Sequence, residues 1–392
     1  MSDTVNQQYI DWLSRVCNAR VLDTQLIQPL WSGYGACFRA TLDHCSDGTA
    51  KDSKIASANS ADESQQGKVT VTSLLKANRQ SVTKVVVKCA TPPNSLSHPK
   101  GWNGKASHNR KCESFAVENC FYSQVQAQTD ACCPTAKYMG HSQQGEASLL
   151  VMEDLAHTGY SRTASSLTPV QCEIVLKWLA HFHARFLNVR SEFESRNLQL
   201  WCEGTYWHLT TRGDEFQAMT EGLLKQNAVA IAKTLASANY QTLVHGDAKV
   251  ANFCFTEDFS ACAAVDFQYV GYGVGIKDVA YFLGSALTTE THIAHRDSLL
   301  NTYFIALESA LLHRLSNNDK PCYFTSSDIK QVIAEWRKLY PFACADFYRF
   351  LAGWSPKHWK IDAELQYQTD IALAALKRGD LVPPFFALKL HH

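Results

Sequence analysis

The segment His245-Gly246-Asp247-Ala248-Lys249-Val250-Ala251-Asn252, followed by Val265-Asp266-Phe267-Gln268, constrains this chain more than any other stretch. Each block is bounded by apolar runs: Thr242-Leu243-Val244 before, Phe253-Cys254-Phe255 between, and Ala263-Ala264-Val265 leading into the second. Short apolar runs separated by polar turns read as strands. The segment is therefore a loop leading into a β-hairpin, with Asp266 at the exit of the second strand. Phosphoryl transfer from a nucleotide needs such a set. One carboxylate receives the proton of an attacking hydroxyl, an amide oxygen and a second carboxylate hold magnesium, and a cation meets the phosphate charge.

The rest of the composition permits that chemistry without demanding it. A chain of 392 residues, 46 % of them hydrophobic, suits two lobes and a large core. Its 37 basic and 37 acidic side chains cancel, which implies no general attraction to nucleic acid or to an anionic membrane. A phosphate site must be built locally. The amino terminus lacks a basic segment followed by an apolar run, and no apolar stretch is long enough to span a bilayer, so a cytoplasmic location is expected. None of the 14 cysteines forms a Cys-x-x-Cys pair. They read as reduced thiols, with Cys132-Cys133 as loop residues.

Upstream of the central segment, other pieces of a nucleotide site can be placed. Tyr9–Leu22 has helical spacing. Residues 28–42 read as a short apolar segment, a turn containing Gly33, Gly35 and Ala36, and an alternating strand, the form of a hairpin that covers a phosphate. A stretch of Ser, Ala, Gly, Asp, Lys and Gln from about 43 to 68 reads as an exposed insertion. A β-branched strand over 81–90 carries Lys88 near its end, suited to grip the α- and β-phosphates, with Lys84 as rival on the same face. Residues 94–112 read as a polar loop and 111–126 as a helix. Glu118, deeper in that helix than Glu113, is the chosen partner of Lys88. Ser148–Leu155 is a buried strand ending in acids, whose backbone at Glu153 and Leu155 suits an adenine edge.

Downstream the chain becomes helical. Residues 166–189 form a helix with Pro169 near its start; its His181 and His183 read as packed or solvent-facing rather than as ligands. Gly271-x-Gly273 opens a dinucleotide-like pattern, but the third glycine position is Ile276 and no βαβ series surrounds it, which rejects that reading. Asp278 either caps the following helix or fixes the loop at His245 from below. Trp207, Trp354 and Trp359 would together wall a pocket for a flat or apolar alcohol.

The order of these pieces is that of kinase-like phosphotransferases. The His-Gly-Asp form of the loop resembles the aminoglycoside phosphotransferase and choline kinase group. The specific form His245–Phe255 with Val265–Gln268 resembles the ecdysteroid kinase-like family, as do Ser97-His-Pro-Lys-Gly-Trp-Asn103, Ser114-Phe-Ala-Val-Glu118-Asn-Cys-Phe-Tyr122, Gly204-Thr-Tyr-Trp-His-Leu-Thr-Thr-Arg212 and Asp346-Phe-Tyr-Arg-Phe-Leu-Ala-Gly-Trp-Ser-Pro356. The resemblance implies an α+β, bilobal protein-kinase-like fold: a small β-rich N-terminal lobe over residues 1–154 and a large, mainly helical C-terminal lobe over 155–392. It implies a small-molecule kinase that moves the γ-phosphate of ATP, with Mg2+, to an alcohol, with Asp247 as catalytic base, Asn252 and Asp266 as metal ligands and Lys88 with Glu118 on the phosphates. Lys249 would stabilise charge on the moving phosphoryl group, and His245 would brace the loop. Gln268 stands where protein kinases have glycine, so a flipping segment is not expected. The alternative is a catalytically silent nucleotide-binding scaffold.

Overall fold

The computed structural model describes residues 4–30, 33–44, 69–71, 82–93, 104–317 and 322–379. The bulk of the polar insertion (45–68), the motif over 97–103 and two residues of the glycine turn (31–32) lie outside the described residues. By internal contacts the chain divides into two units: Met1–Ser97 with Ala136–Thr158, and His98–Thr135 with Gly159–His392.

The first unit begins with helix α1 (Gln7–Cys17). The Asn6 side chain accepts the Gln8 N–H at 2.9 Å and so satisfies one orphan donor of the first turn. Helical periodicity in the sequence runs on to Leu22, but the helix stops earlier. Asn18 adopts φ 46°, a left-handed conformation that asparagine tolerates and that ends a helix. The chain then extends as β1 (Arg20–Pro29) and returns as β2 (Gly35–Asp43). With β3 (Val69–Val71), β4 (Val82–Ala90), β5 (Tyr138–Gln144) and β6 (Ala147–Glu153) they form a six-stranded sheet in the order β1-β2-β4-β6-β5-β3. Every pairing is antiparallel. Alternate residues of β2, Ala36, Phe38, Ala40 and Leu42, point inward. They meet Val85, Val87, Leu149 and Val151 from the neighbouring strands and Trp12, Leu13 and Val16 of α1. Period-two burial of this kind fixes the register, since a one-residue slip would expose the whole set.

The second unit is mainly helical. Its members in chain order are α2 (Gly104–Cys120), α3 (Pro169–Arg185), four short helices α4 (Arg190–Ser195), α5 (Gly213–Ala218), α6 (Leu223–Gln226) and α7 (Ala228–Ala236), then α8 (Ile276–Ala286), α9 (Thr289–Ser316), α10 (Ser326–Trp354) and α11 (Ala363–Arg378). Two small antiparallel ladders sit among them: β7 (Thr242–Val244) with β10 (Gly271–Gly273), and β8 (Phe253–Phe255) with β9 (Cys262–Ala264). The β8–β9 pair is the hairpin that the apolar runs indicate. Pairing of β7 with β10 is antiparallel, which excludes a βαβ dinucleotide unit at Gly271. The α+β class, with a sheet-bearing amino-terminal unit and a mainly helical second one, is as the sequence indicates.

Helix α2 differs from its sequence reading in two ways. It begins at Gly104, so residues 104–112 are helical rather than loop. Its first turns are polar and half-exposed, so they carry little apolar periodicity to be seen. The helix also belongs with the helical unit, whereas a single boundary near residue 154 assigns it to the sheet. Lys111 Nζ and Ser114 Oγ both donate to Gln268 Oε1, at 2.8 and 3.3 Å. Just past the helix, Phe121 stacks on Phe267 with ring centroids 3.9 Å apart.

Gly35 illustrates how tightly the sheet is closed. Its φ is 126°, and a Cβ built there would lie 2.0 Å from the Cys89 carbonyl oxygen on β4. Gly35→Ala is expected to destabilise the first unit by about 2–4 kcal/mol, from strain and displaced backbone. Urea unfolding followed by Trp12 fluorescence measures this, and a loss under about 0.5 kcal/mol would contradict the packing.

Candidate active site

The loop after β7 carries an exceptional density of buried polar groups, and one carboxylate holds it. Asp278, in the first turn of α8, is fully buried. It accepts the His245 N–H at 2.6 Å and the Gly246 N–H at 3.0 Å. The ring of His183 on α3 donates to the same carboxylate through Nε2 at 3.2 Å, and its Nδ1 takes the Tyr303 hydroxyl at 2.8 Å. Of the two sequence alternatives for Asp278, the structure selects loop fixation: the cap position of α8 is Gly275. His183 is a packed residue, as expected. Gly246 makes the tight turn at φ 81°, where a Cβ would meet the Tyr269 carbonyl oxygen at 2.0 Å. Only glycine satisfies both demands.

His245 braces the next step. Its Nε2 donates to the Val265 carbonyl at 3.0 Å, and its Nδ1 accepts the Asp247 N–H at 3.3 Å. With both ring nitrogens engaged in this way, the ring positions Asp247 rather than taking protons from a ligand. The same bond to Val265 ties the loop to the residue before Asp266. On the other side of the hairpin, the Val265 N–H donates to the Asn252 carbonyl at 3.0 Å. Asn252 and Asp266 are thus carried on adjacent hairpin ends, although far apart in sequence.

Asp247 itself is nearly buried and accepts from three side chains. Lys249 Nζ and Asn252 Nδ2 reach its Oδ2 at 2.9 and 3.1 Å. Asn252 Nδ2 also donates to the Asp247 backbone carbonyl at 2.8 Å. Both amide hydrogens of Asn252 therefore point at Asp247, and its carbonyl oxygen is the end turned toward other partners. The opposite oxygen of Asp247, Oδ1, accepts the Tyr281 hydroxyl at 3.1 Å. Tyr281 is also hydrogen-bonded to Tyr206. A hydroxyl has one proton to give, so Tyr281 spends it on Asp247 and accepts from Tyr206. Burial, then the Asp247 charge, pushes the Tyr281 phenol well above its ordinary range and keeps it a donor.

Magnesium takes hard oxygen donors, and the Asn252 amide oxygen and the Asp266 carboxylate are such donors at adjacent hairpin ends. Asp266 adopts φ 68°, a left-handed conformation found disproportionately at functional positions. Phe267 anchors the segment that follows, packed on Phe121, Trp178, Phe182 and His245. Gln268, held by α2 as described, also offers its carbonyl to Trp201 Nε1 at 2.8 Å. Phe267 and Gln268 are thus both held by the helical unit.

In the sheet unit, Lys88 is buried on β4 between Cys37 and Leu150, whereas Lys84 is exposed. Burial thus separates the two rivals. Gly33 (φ 77°) lies at the hairpin turn closed by the Leu30 N–H to the Gly35 carbonyl at 2.8 Å, and Ala36 is already in β2. Gly35 has a reason of its own to be glycine, its approach to β4. Glu153 ends β6, its N–H donating to Lys137 O at 2.9 Å and its carboxylate facing Lys137 Nζ at 3.6 Å. Leu155 is buried two residues on. Glu118 is buried in α2 of the helical unit, and Glu113 is exposed.

Three residues escape a sequence reading. Tyr281 lies three positions after Asp278 on one helix face, a spacing that could have suggested it. Tyr206 lies in the Gly204–Arg212 stretch, which runs against the loop: Thr205 N–H donates to Tyr269 O at 3.2 Å and Tyr206 N–H to Gly246 O at 3.1 Å. Lys360 is the third, with its Nζ 4.4 Å from the Tyr281 ring centroid. One sequence expectation fails. Trp207 walls no pocket: it is fully buried, with Nε1 donating to Asp346 Oδ2 at 3.1 Å. Asp346 in turn holds Arg349 Nη2 at 2.8 Å and Lys277 Nζ at 3.3 Å. A large indole placed over a buried ion network has nowhere open to face.

Asp278→Ala leaves two buried amides and His183 without their acceptor, and is expected to cost about 3–5 kcal/mol. Asp278→Asn, which keeps one acceptor oxygen, is expected to cost less. Guanidinium unfolding of both variants measures the order, and equal stability of Asp278→Ala and the parent chain would contradict the clamp.

The family model of the ecdysteroid kinase-like family matches residues 97–237 and 203–316. No curated protein matches the sequence. Among solved structures, an amicoumacin kinase in complex with AMP-PNP and Ca2+ is 11 % identical with a TM-score of 0.43, covering 81 % of this chain and 90 % of that one. A choline kinase from Cryptosporidium parvum is 9 % identical with a TM-score of 0.42, covering 82 % and 90 %. An ethanolamine kinase from Plasmodium vivax is 11 % identical with a TM-score of 0.38, covering 91 % and 84 %.

Proposed function

The chain belongs to the ecdysteroid kinase-like family, and from that premise we propose that it transfers the γ-phosphate of ATP to a hydroxyl of a small molecule. The observation that carries the reading is the state of Asp247. Its carboxylate is held on a loop clamped from below, one oxygen toward Lys249 and Asn252 and the other toward Tyr281. A side chain with no task beyond packing does not need a braced carboxylate with three donors.

In this reading Asp247 orients the acceptor hydroxyl through Oδ1 and takes its proton as the O–P bond forms. Tyr281, already donating to Oδ1, fixes the carboxylate so that one lone pair points at the hydroxyl. Lys249 on Oδ2 meets the charge of the moving phosphoryl group. Asn252 and Asp266 would hold Mg2+, which when bound neutralises charge on the phosphates. Lys88, with Glu118 as its partner, is assigned to the α- and β-phosphates, the Gly33–Ala36 turn to the phosphate cover, and the backbone at Glu153 and Leu155 to the adenine edge. The acceptor is an alcohol. No nucleic acid partner is proposed, and among the described residues no helix is long and apolar enough to cross a membrane.

Asp247→Ala is expected to lower turnover by about 10²–10⁴-fold, the range of a general base, while leaving ATP affinity within a few fold. The measurement is release of labelled γ-phosphate into a metabolite extract, paired with nucleotide titration calorimetry. Equal turnover in variant and parent would refute the role of Asp247. ATP binding without transfer to any component of the extract would favour the silent scaffold.

A further inference from the structure

The two oxygens of Asp247 face different chemistry. Oδ2 meets Lys249 and Asn252, the residues assigned to phosphate and metal. Oδ1 meets the Tyr281 hydroxyl. In the phosphotransfer reading the acceptor hydroxyl takes the Oδ1 side, and Lys360 stands over the Tyr281 ring. Its Nζ lies 4.4 Å from the Tyr281 ring centroid, 5.5 Å from that of Trp359 and 5.8 Å from that of Phe347. Lys360 follows α10 in the turn that leads to α11, where its own N–H is fixed by His358 Nδ1 at 3.2 Å.

The surroundings of this ammonium are unusual. Among the described residues its Nζ makes no hydrogen bond and no ion pair; three aromatic faces are its contacts. Aromatic faces attract a cation but do not neutralise it. Burial lowers its pKa to about 8; the Asp247 charge opposes this shift and the Lys249 charge adds to it. A half-buried cation with no carboxylate in ion-pair contact, and with Asp247 already engaged by Lys249 and Asn252, is costly, and such groups mark places where a ligand can supply a paired charge. Trp359 beside it is 66 % exposed, a flat apolar surface next to the charge. From Trp359 the rings continue through His358 and Trp354 to Phe350 and Tyr206, each within 6 Å of the next.

We propose that Lys360 reads the charge of the acceptor. Its ammonium pairs with a carboxylate or another anionic oxygen on an alcohol whose ring lies along Trp359 and whose hydroxyl reaches Asp247 Oδ1, and it repels the ammonium of an amino alcohol. The inference rests on the phosphotransfer reading only for the place of the hydroxyl. Its physical content is a preference in binding, and that preference can be measured without turnover.

Three probes that share a benzyl alcohol and differ only in the para substituent serve: 4-(hydroxymethyl)benzoate, 1,4-benzenedimethanol and 4-(aminomethyl)benzyl alcohol. Their affinities for the full chain are compared at pH 7 by ligand-observed NMR without nucleotide. The benzoate is expected to bind tightest, on the order of tenfold over the diol, with the amine weakest. Lys360→Met, which keeps the aliphatic stem, is expected to abolish the order. Lys360→Glu should reverse it and Lys360→Arg should retain it, each variant first shown to keep the parent's near-ultraviolet spectrum. The proposal is overturned by affinities that ignore charge, by the lack of any binding, or by an order that survives in Lys360→Met. Weakened ATP binding in Lys360→Met, with benzoate binding unchanged, would assign the charge to the nucleotide instead and overturn it too. Run in parallel with MgATP, the probes separate the two readings. A charge order without phosphorylation keeps this inference and counts against phosphotransfer, whereas phosphorylation without a charge order does the reverse.

Discussion

Everything in the candidate site depends on the Asp278 carboxylate and the two backbone amides it accepts. A buried loop cannot leave N–H groups unpaired without a cost comparable to a lost hydrogen bond. Asp278 pairs two of them at once, at His245 and Gly246. It is itself steadied by His183, whose other nitrogen is held by Tyr303. That chain of contacts runs from α9 through α3 and α8 into the loop, so three helices fix the backbone from which Asp247 projects. The side chains above it then have a defined frame: His245 fixes the hairpin exit, Asn252 and Lys249 fix one oxygen of Asp247, and Tyr281 the other.

The second organising contact is aromatic. Phe267 sits in a nest of rings, stacked on Phe121 and edge-on to Tyr122, with Trp178, Phe182 and His245 around it. Full burial of a phenylalanine of this kind contributes roughly 1.5–3 kcal/mol. Its effect here is directional as well. It draws α2 to the same residues that carry Asp266 and Gln268, and the Lys111 and Ser114 bonds to Gln268 complete the attachment. The segment that carries Asp266 and the helix that carries Glu118 are therefore one packed body.

What could be read from the sequence follows from what is local. The hairpin was legible because Phe253–Phe255 and Ala263–Val265 are apolar runs with a polar turn between them, and Asp266 is the next residue. Pro169 marked the start of α3, where Thr168 and Gln171 form a reciprocal cap. Other features needed the tertiary fold. The first turns of α2 are polar and half-exposed, so their helicity left no apolar stripe. Asn18 ends α1 by a backbone conformation that periodicity does not register. Trp207 reads like any exposed aromatic until the Asp346, Arg349 and Lys277 network beneath it is seen. Lys360 is the extreme case: only the packing of α8 against the end of α10 brings it to Tyr281, and nothing in its neighbours along the chain announces a charge beside Asp247.

The central claim is that Asn252 and Asp266 hold the metal of one nucleotide site, with Asp247 beside it as the base. Electron paramagnetic resonance of Mn2+, substituted for Mg2+, addresses it most directly and needs no knowledge of the acceptor. The account predicts that the protein takes up Mn2+ tightly only together with ATP, and that Asp266→Ala and Asn252→Ala each weaken that uptake at least tenfold while Asp247→Ala changes it little. Uptake of Mn2+ and ATP that is indifferent to both Asp266→Ala and Asn252→Ala would contradict it.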